Sequence, residues 1–419
     1  MGSIATPAKF HNTPAKGVSF FTPAQNPPAG TAFAKDGETV PKLFKPLKIR
    51  GMTMQNRIML SPLCQYSAED GHYTPWHAAH IGGIASRGPG LTTIEATGVT
   101  ANGRITPEDT GIWKDSQIEP FRQVVEFVHS QNQHIMIQLA HAGRKASTVA
   151  PWLSSGAIAG KDVNGWPDDV VAPSAIPWNE DHPQPREMTI QEIEQFKEDF
   201  AAAVKRALKA GFDAIEIHNA HGYLLHAFIS PVSNKRTDKY GGSFENRTRL
   251  TLEVVELVRK IIPDDMPLFL RISGTDYLEE VDKSKIPESW TGEDTARLAP
   301  LLAAAGVDLL DVSGGGNHPD QHPHVGPAYQ AKYAIKAKEA VGDKMLVGSV
   351  GTINSATVAN DLIENKGLDI VTVGRAFQKN PGLVFAWGDE LGVTVQMPNQ
   401  IRWGFAGRGS QEGLKPVKA

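Results

Sequence analysis

Eight short apolar runs, most of them separated by stretches of helical periodicity, constrain this 419-residue chain more than any other feature. They are Arg57–Leu60, Leu91–Thr97, His134–His141, Ala214–Asn219, Leu268–Ser273, Asp308–Ser313, Met345–Val350 and Asp369–Gly374. Each is rich in β-branched or aliphatic side chains, as strands buried on both faces are. Between them, Gln191–Ala210 places Ile193, Phe196, Phe200, Val204 and Leu208 at helical spacing, and Gly211 supplies a stop. Phe121–Ser130 and Thr251–Ile262 behave alike, and Pro263 ends the latter. Strand alternating with helix eight times predicts a single-domain (β/α)8 TIM barrel, an α/β fold of about 250 residues plus insertions. The alternative is a doubly wound open sheet, but no Gly-x-Gly-x-x-Gly follows an early strand. Residues 1–40, rich in Ala, Pro, Gly and Thr, read as an extended arm that wraps the body or stays mobile. The barrel is then expected over 41–395 and a C-terminal tail over 396–419.

Composition excludes several function classes. The net charge of −4 offers no general attraction to nucleic acid or an anionic membrane. A single cysteine, Cys64, rules out an intrachain disulfide, an iron–sulfur cluster and a Cys-based zinc site. It suits a reducing, cytoplasmic setting. No apolar stretch is long enough to span a bilayer, and no signal-peptide core opens the chain. Met1–Thr6 matches the loose myristoylation pattern, but no second anchoring signal follows.

Barrels present their chemistry at the C-terminal ends of the strands. Here nearly every run ends in polar or glycine-rich sequence. Gly348, Ser349, Gly351, Gly374 and Arg375 close the last two runs, where barrels commonly hold a phosphate; the bland reading is tight turns. Gln138 and Arg271 end otherwise apolar runs. Arg271 shares strand parity with Phe269 and is expected to point inward, where it needs an anionic or accepting partner. A flavin ring is one such partner and Glu216, on the neighbouring strand, is another. His218 and His221 can donate to a single oxygen at the barrel mouth and polarise an enone. Core histidines or metal ligands are the competing readings, and nearby carboxylate or Cys partners for a metal are lacking. Tyr223 is either a general acid or a packing aromatic. Cys64 is either a small buried hydrophobe or a flavin contact, and Tyr66 can bond a substrate oxygen. The loop His318–His324 reads as surface, as do Lys235–Asp238 and Arg247.

Taken together, these residues resemble the old yellow enzyme family. The resemblance is carried by Asn56-Arg57 with Ser61-Pro62-Leu63-Cys64-Gln65-Tyr66, His141-Ala142-Gly143-Arg144-Lys145, His218-x-x-His221-Gly222-Tyr223-Leu224, and the run from Arg236 to Arg247. It covers most of the chain beyond about residue 40. Cys64 and Tyr66 look like the thermophilic-like bacterial subclass. The resemblance implies FMN bound in the barrel, NADPH as electron donor, and an α,β-unsaturated carbonyl as acceptor. It would place Ser61, Pro62, Leu63, Cys64, Ala96, Gln138, Arg271, Gly374 and Arg375 on FMN. His218 and His221 would hold the substrate oxygen, Tyr223 would supply the proton, and Tyr66 and Lys145, the latter beside the flavin site, would bind substrate. A homo-oligomer, dimer or tetramer, is implied by analogy, with Arg402 the candidate to enter a neighbouring site. The long arm and the insertion Ala142–Glu187 depart from the pattern; they point to a eukaryotic, fungal origin and a modified entrance. Relatives acting as amine dehydrogenases or dienoyl-CoA reductases add a cluster that one cysteine cannot hold. A flavin- or phosphate-binding carrier or sensor is the reading from another class.

Overall fold

The computed structural model describes residues 11–35, 37–406 and 415–418; the myristoylation-like pattern at Met1–Thr6 lies outside them. Eight strands form a closed barrel: β1 (Ile58–Leu60), β2 (Leu91–Gly98), β3 (Ile135–Ala140), β4 (Ala214–Asn219), β5 (Leu268–Ser273), β6 (Leu309–Ser313), β7 (Leu346–Ser349) and β8 (Ile370–Val373). Each pairs in parallel with the next, β8 returns to β1, and each lies within a residue or two of its apolar run. The fold is the expected (β/α)8 barrel.

The longer helices are α1 (Pro75–Ala85), α2 (Ile118–Ser130), α3 (Ile190–Ala210), α4 (Phe244–Ile261), α5 (Gly292–Ala305), α6 (Ala331–Val341), α7 (Ala356–Glu364) and α8 (Leu383–Leu391). Local sequence fixes their ends. Thr189 caps α3 by accepting from the Glu192 N–H, and the Glu192 carboxylate accepts from the Thr189 N–H in return. Gly211 closes the same helix at φ +94°. Ile193, Phe196, Phe200 and Val204 are buried on its inner face. They join the large apolar layer between helices and strands.

Strand periodicity stacks the barrel interior in layers. The lowest holds Met59, Leu91, Met136, Ala214, Phe269, Leu309, Leu346 and Ile370. The hairpin of Leu47–Ile49 and Met52–Met54 plugs the barrel beneath it with Leu47, Ile49, Met52 and Met54. Two residues further along each strand the chemistry changes to Ser61, Thr93, Gln138, Glu216, Arg271, Asp311, Gly348 and Thr372, all buried. A β-bulge at Glu95 shifts β2 so that Ala96 comes level with Gln138. An apolar floor topped by a polar layer is what positions the site.

Ala32–Ala34 pairs antiparallel with Thr394–Val395 and with Lys415–Pro416, and Ala32 is fully buried. Gln25 donates to Gln400 at 2.8 Å and accepts from the Asn399 N–H at 3.0 Å. Residues from both expected flanking segments thus lie against each other. Among the described residues, no helix is long and apolar enough to cross a membrane.

Candidate active site

The polar layer contains two carboxylates and one cation. Arg271 Nε donates to Asp311 at 2.7 Å, and Nη2 reaches both Asp311 and, at 3.0 Å, the Ser61 hydroxyl. Thr372 also donates to Asp311 at 3.1 Å. This corrects one expectation: the ion-pair partner of Arg271 is Asp311, not Glu216. The stagger decides it, because Asp311 is the register partner of Arg271 whereas Glu216 is level with Phe269. Glu216 instead faces its own register partner, Gln138, with Gln138 Nε2 2.6 Å from Glu216 Oε2. The other Glu216 oxygen is buried without a partner. The hydrogen bonds of Arg271 run through Nε and Nη2, and that of the Gln138 amide through one of its two atoms.

Above this layer sit His218, His221 and Tyr223. The rings of His218 and His221 stand at 90° with centroids 5.2 Å apart. Tyr223 meets them edge-on at 4.9 Å and 6.4 Å. His218 Nδ1 accepts from the Ala220 N–H at 3.2 Å, so the neutral ring carries its proton on Nε2. His221 Nε2 lies 2.7 Å from the Ser313 hydroxyl. When that hydroxyl donates, the remaining proton of His221 is on Nδ1. Burial pushes both imidazoles well below their ordinary range, and the nearby Arg271 and Lys145 cations push the same way. Burial, then the Cys64 and Tyr66 side chains, raise the Tyr223 phenol. The group is therefore two neutral N–H donors beside a phenol that keeps its proton. His221 sits at φ +61° and Gly222 at φ +76°, where a Cβ on Gly222 would lie 2.2 Å from the Gly316 carbonyl oxygen. That close approach reserves the position for glycine.

The histidines predict acid sensitivity. In the unfolded chain they take up protons below about pH 6.5. In the folded chain buried His218 does so only far lower, and His141, held down by burial alone, at about 4. Their contribution is thus full above the unfolded value and is lost as pH falls below it, by about 1.4 kcal/mol per histidine per pH unit. Urea midpoints at neutral and mildly acid pH should differ accordingly. An unchanged midpoint would mean that these imidazoles are charged in the fold.

Lys145 is held between two loops, and Arg236 sits differently from its sequence reading. Lys145 Nζ donates to the His221 and Gly316 carbonyls at 2.9 Å and 3.0 Å and lies over the Trp178 and Tyr223 rings. Burial, helped by Arg144, lowers it to about 8. Its ammonium braces two loops. Arg236, read as a solvated loop charge, is buried; it bonds Asp238 and donates to the Pro173 and Met188 carbonyls at 3.0 Å and 2.6 Å. The reason is the insertion Ala142–Glu187, which folds over the loop after β4 and covers it. Arg247 also donates inward, to the Ile229 carbonyl at 2.9 Å. The His318–His324 loop is surface, as read, with His324 on Glu280 at 2.7 Å. Among the described residues, no group of three or more potential ligands could hold a metal ion.

Ser61 links the polar layer to a cavity of about 120 Å³, lined by Leu63, Val350–Asn354, Thr372, Val373, Gly374, Arg375 and Ala376. Gly351 is there at φ +117°. Gly348 and Ser349 lie outside this lining. Gly348 belongs to the polar layer, where a Cβ would come within 2.6 Å of Ile370, and Ser349 is fully buried in β7. Buried Pro62 separates Ser61 from Leu63, and Cys64 follows, partly exposed, with its thiol kept protonated by burial. Ala96 lines a small recess with Tyr223. Tyr66, at φ +49°, meets Trp152 of the insertion edge-on at 5.6 Å. Sequence reasoning did not single out Ser313, Asp311 or Thr372; the inward parity of β6 and β8 is the signal that marks the last two.

Residues 42–391 match the family described as NADH:flavin oxidoreductase / NADH oxidase. An NADH:flavin oxidoreductase of the fungus Gibberella zeae is 55% identical over 403 residues, covering 95% of this chain and 96% of that protein. An NADPH dehydrogenase of Geobacillus thermodenitrificans is 40% identical over 365 residues, covering 87% and 98%. Among solved structures, morphinone reductase in complex with tetrahydroNAD superposes with a TM-score of 0.67 at 28% identity, covering 86% and 93%. The chain belongs to the NADH:flavin oxidoreductase / NADH oxidase family and is an oxidoreductase of the old yellow enzyme type.

Proposed function

We propose that this oxidoreductase binds FMN, takes electrons from NADPH and reduces the carbon–carbon double bond of α,β-unsaturated carbonyls. The observation that carries the reading is the cluster of His218, His221 and Tyr223 above a polar layer that presents the hydrogen-bonding groups of Arg271 and Gln138. Those groups fit the pyrimidine edge of an isoalloxazine, which needs both donors and acceptors. Arg375 and the glycine-bearing loops beside Ser61 fit its phosphate. Ser61, Pro62, Leu63, Cys64 and Ala96 would complete the cofactor's surroundings. When bound, FMN supplies hydride transfer from NADPH to the acceptor.

The chain's own residues do the rest. His218 and His221 donate to the acceptor's carbonyl oxygen, drawing charge from the double bond. Being neutral, they do so without giving up a proton. Tyr223 keeps its phenolic proton and delivers it to the carbon next to the carbonyl. Tyr66 closes the substrate space against Trp152. Lys145 supports this arrangement through the His221 carbonyl instead of touching substrate.

An absorption spectrum of the purified protein, followed anaerobically by NADPH and then cyclohexenone, tests the reading. A flavin band that bleaches with NADPH and returns with the enone is expected. A band that NADPH leaves unbleached would remove the proposed donor. Failure to bind FMN on reconstitution would remove the assignment of Gln138, Arg271 and Arg375.

A further inference from the structure

The polar layer holds one more carboxylate than cation, and the surplus lies directly behind Gln138. Asp311 takes two guanidinium bonds from Arg271 and one from Thr372. Its oxygens are thereby provided with partners inside the layer. Glu216 is fully buried, and its one bond runs to Gln138, with Oε1 unpartnered. A buried carboxylate with an unsatisfied oxygen is costly, and a proton removes most of that cost. The 2.6 Å separation from the Gln138 amide is short for N–H···O but ordinary for O–H···O. Amide ends are distinguished by their partners, and an acid O–H here selects Gln138 Oε1 as the atom facing it.

We propose that Glu216 is a positioning residue whose proton turns the Gln138 amide. Neutral Glu216 donates to Gln138 Oε1 and leaves the NH2 facing the cofactor; ionised Glu216 accepts from the NH2 and leaves the carbonyl facing it. The same side chain thus offers the flavin's pyrimidine edge either a donor or an acceptor, according to one proton stored beneath it. A donor favours the reduced ring, where negative charge gathers at that edge. The groups facing Glu216 are Gln138 from β3, Arg271 from β5 and Asp311 from β6. Burial raises Glu216 above the ordinary carboxylate range, Arg271 opposes this, and the Asp311 charge adds to it. The inference rests on the flavin reading given above.

The test is the flavin midpoint potential followed from about pH 6 to pH 10 in wild type, Glu216→Gln and Gln138→Met. Infrared titration of the buried acid carbonyl band runs alongside it, in protein with and without FMN. Wild type should show a break in the potential–pH line at the pH where the acid band disappears. Glu216→Gln, which keeps a donor toward Gln138 without a titrating proton, should lose both the band and the break. Gln138→Met should keep the band and lose the break, which a purely structural role for Glu216 would not produce. A break that persists unchanged in Glu216→Gln, or no acid band in wild type near neutral pH, overturns the proposal while leaving FMN binding intact. Protein that takes up no FMN overturns both readings. Should Glu216→Gln fail to fold, the wild-type band and the Gln138→Met comparison still decide.

Discussion

Replacing His218 and His221 together by alanine is expected to lower turnover of cyclohexenone by at least about 10²-fold. Each ring is fixed by a different bond. His218 is held in one tautomer by the Ala220 N–H, and the His221 ring is held in place by its hydrogen bond with the Ser313 hydroxyl. Both are held neutral by burial beside cations, so each offers one preorganised N–H donor. Donors of this kind act where charge develops, in a site screened from water, and deleting one typically costs about 10²–10³-fold. The rate of flavin reoxidation by enone, measured by stopped flow after anaerobic reduction, isolates the step. Reduction by NADPH in the same protein reports whether the cofactor remains in place. Reoxidation at the wild-type rate would show that the acceptor's oxygen is held elsewhere. The single His221→Ala variant also releases Ser313, whose hydroxyl could partly replace the lost donor, so the double variant is the decisive one.

Arg271→Met is expected to have the larger effect on the fold. It leaves Asp311 and Glu216 in one buried layer without a cation between them. Removing one member of a buried ion pair costs about 3–5 kcal/mol, because the other charge stays desolvated. Asp311 would keep Thr372, and Ser61 would lose its guanidinium contact. A lower urea midpoint and loss of FMN affinity should appear together, since the guanidinium serves both. Stability near wild type would mean that the buried layer does not depend on the guanidinium.

The barrel was legible because its signals are local. Strand composition, helical spacing and the Gly211 stop act over a few residues, and they place β4 and α3 within a residue of the structure. Arg271 was legible as an inward charge because strand parity with Phe269 is also local. Its partner was not, since pairing depends on how far β5 is staggered against β4 and β6, and that is set by closure of the whole barrel. Gly348 shows the same limit: a shift of two or three residues separates the interior layer from the loop that lines the cavity. Arg236 was misread because the chain that buries it arrives from an insertion about fifty residues earlier. His218, His221 and Tyr223 were recognisable by type and spacing, while the roles of their supports, Ser313 and Lys145, emerge only once distant strand ends are brought together.

Adjacent Arg144 and Lys145 divide the insertion into two regimes. Arg144 reaches the Asn317 carbonyl and, at 3.1 Å, its side chain; Lys145 reaches the His221 and Gly316 carbonyls. Three strand-end loops are therefore fastened together at the insertion's root. Farther along, Trp152 and Leu153 stand two-thirds or more exposed, with Trp152 against Tyr66. The tip is thus free to change without disturbing the barrel, while the root is tied to the backbone of His221 itself. On the proposed function, substitutions at Trp152 and Leu153 are expected to change which enones are reduced while FMN stays bound, and substitutions at Arg144 or Lys145 to lower turnover of all of them; steady-state rates over an enone panel check both.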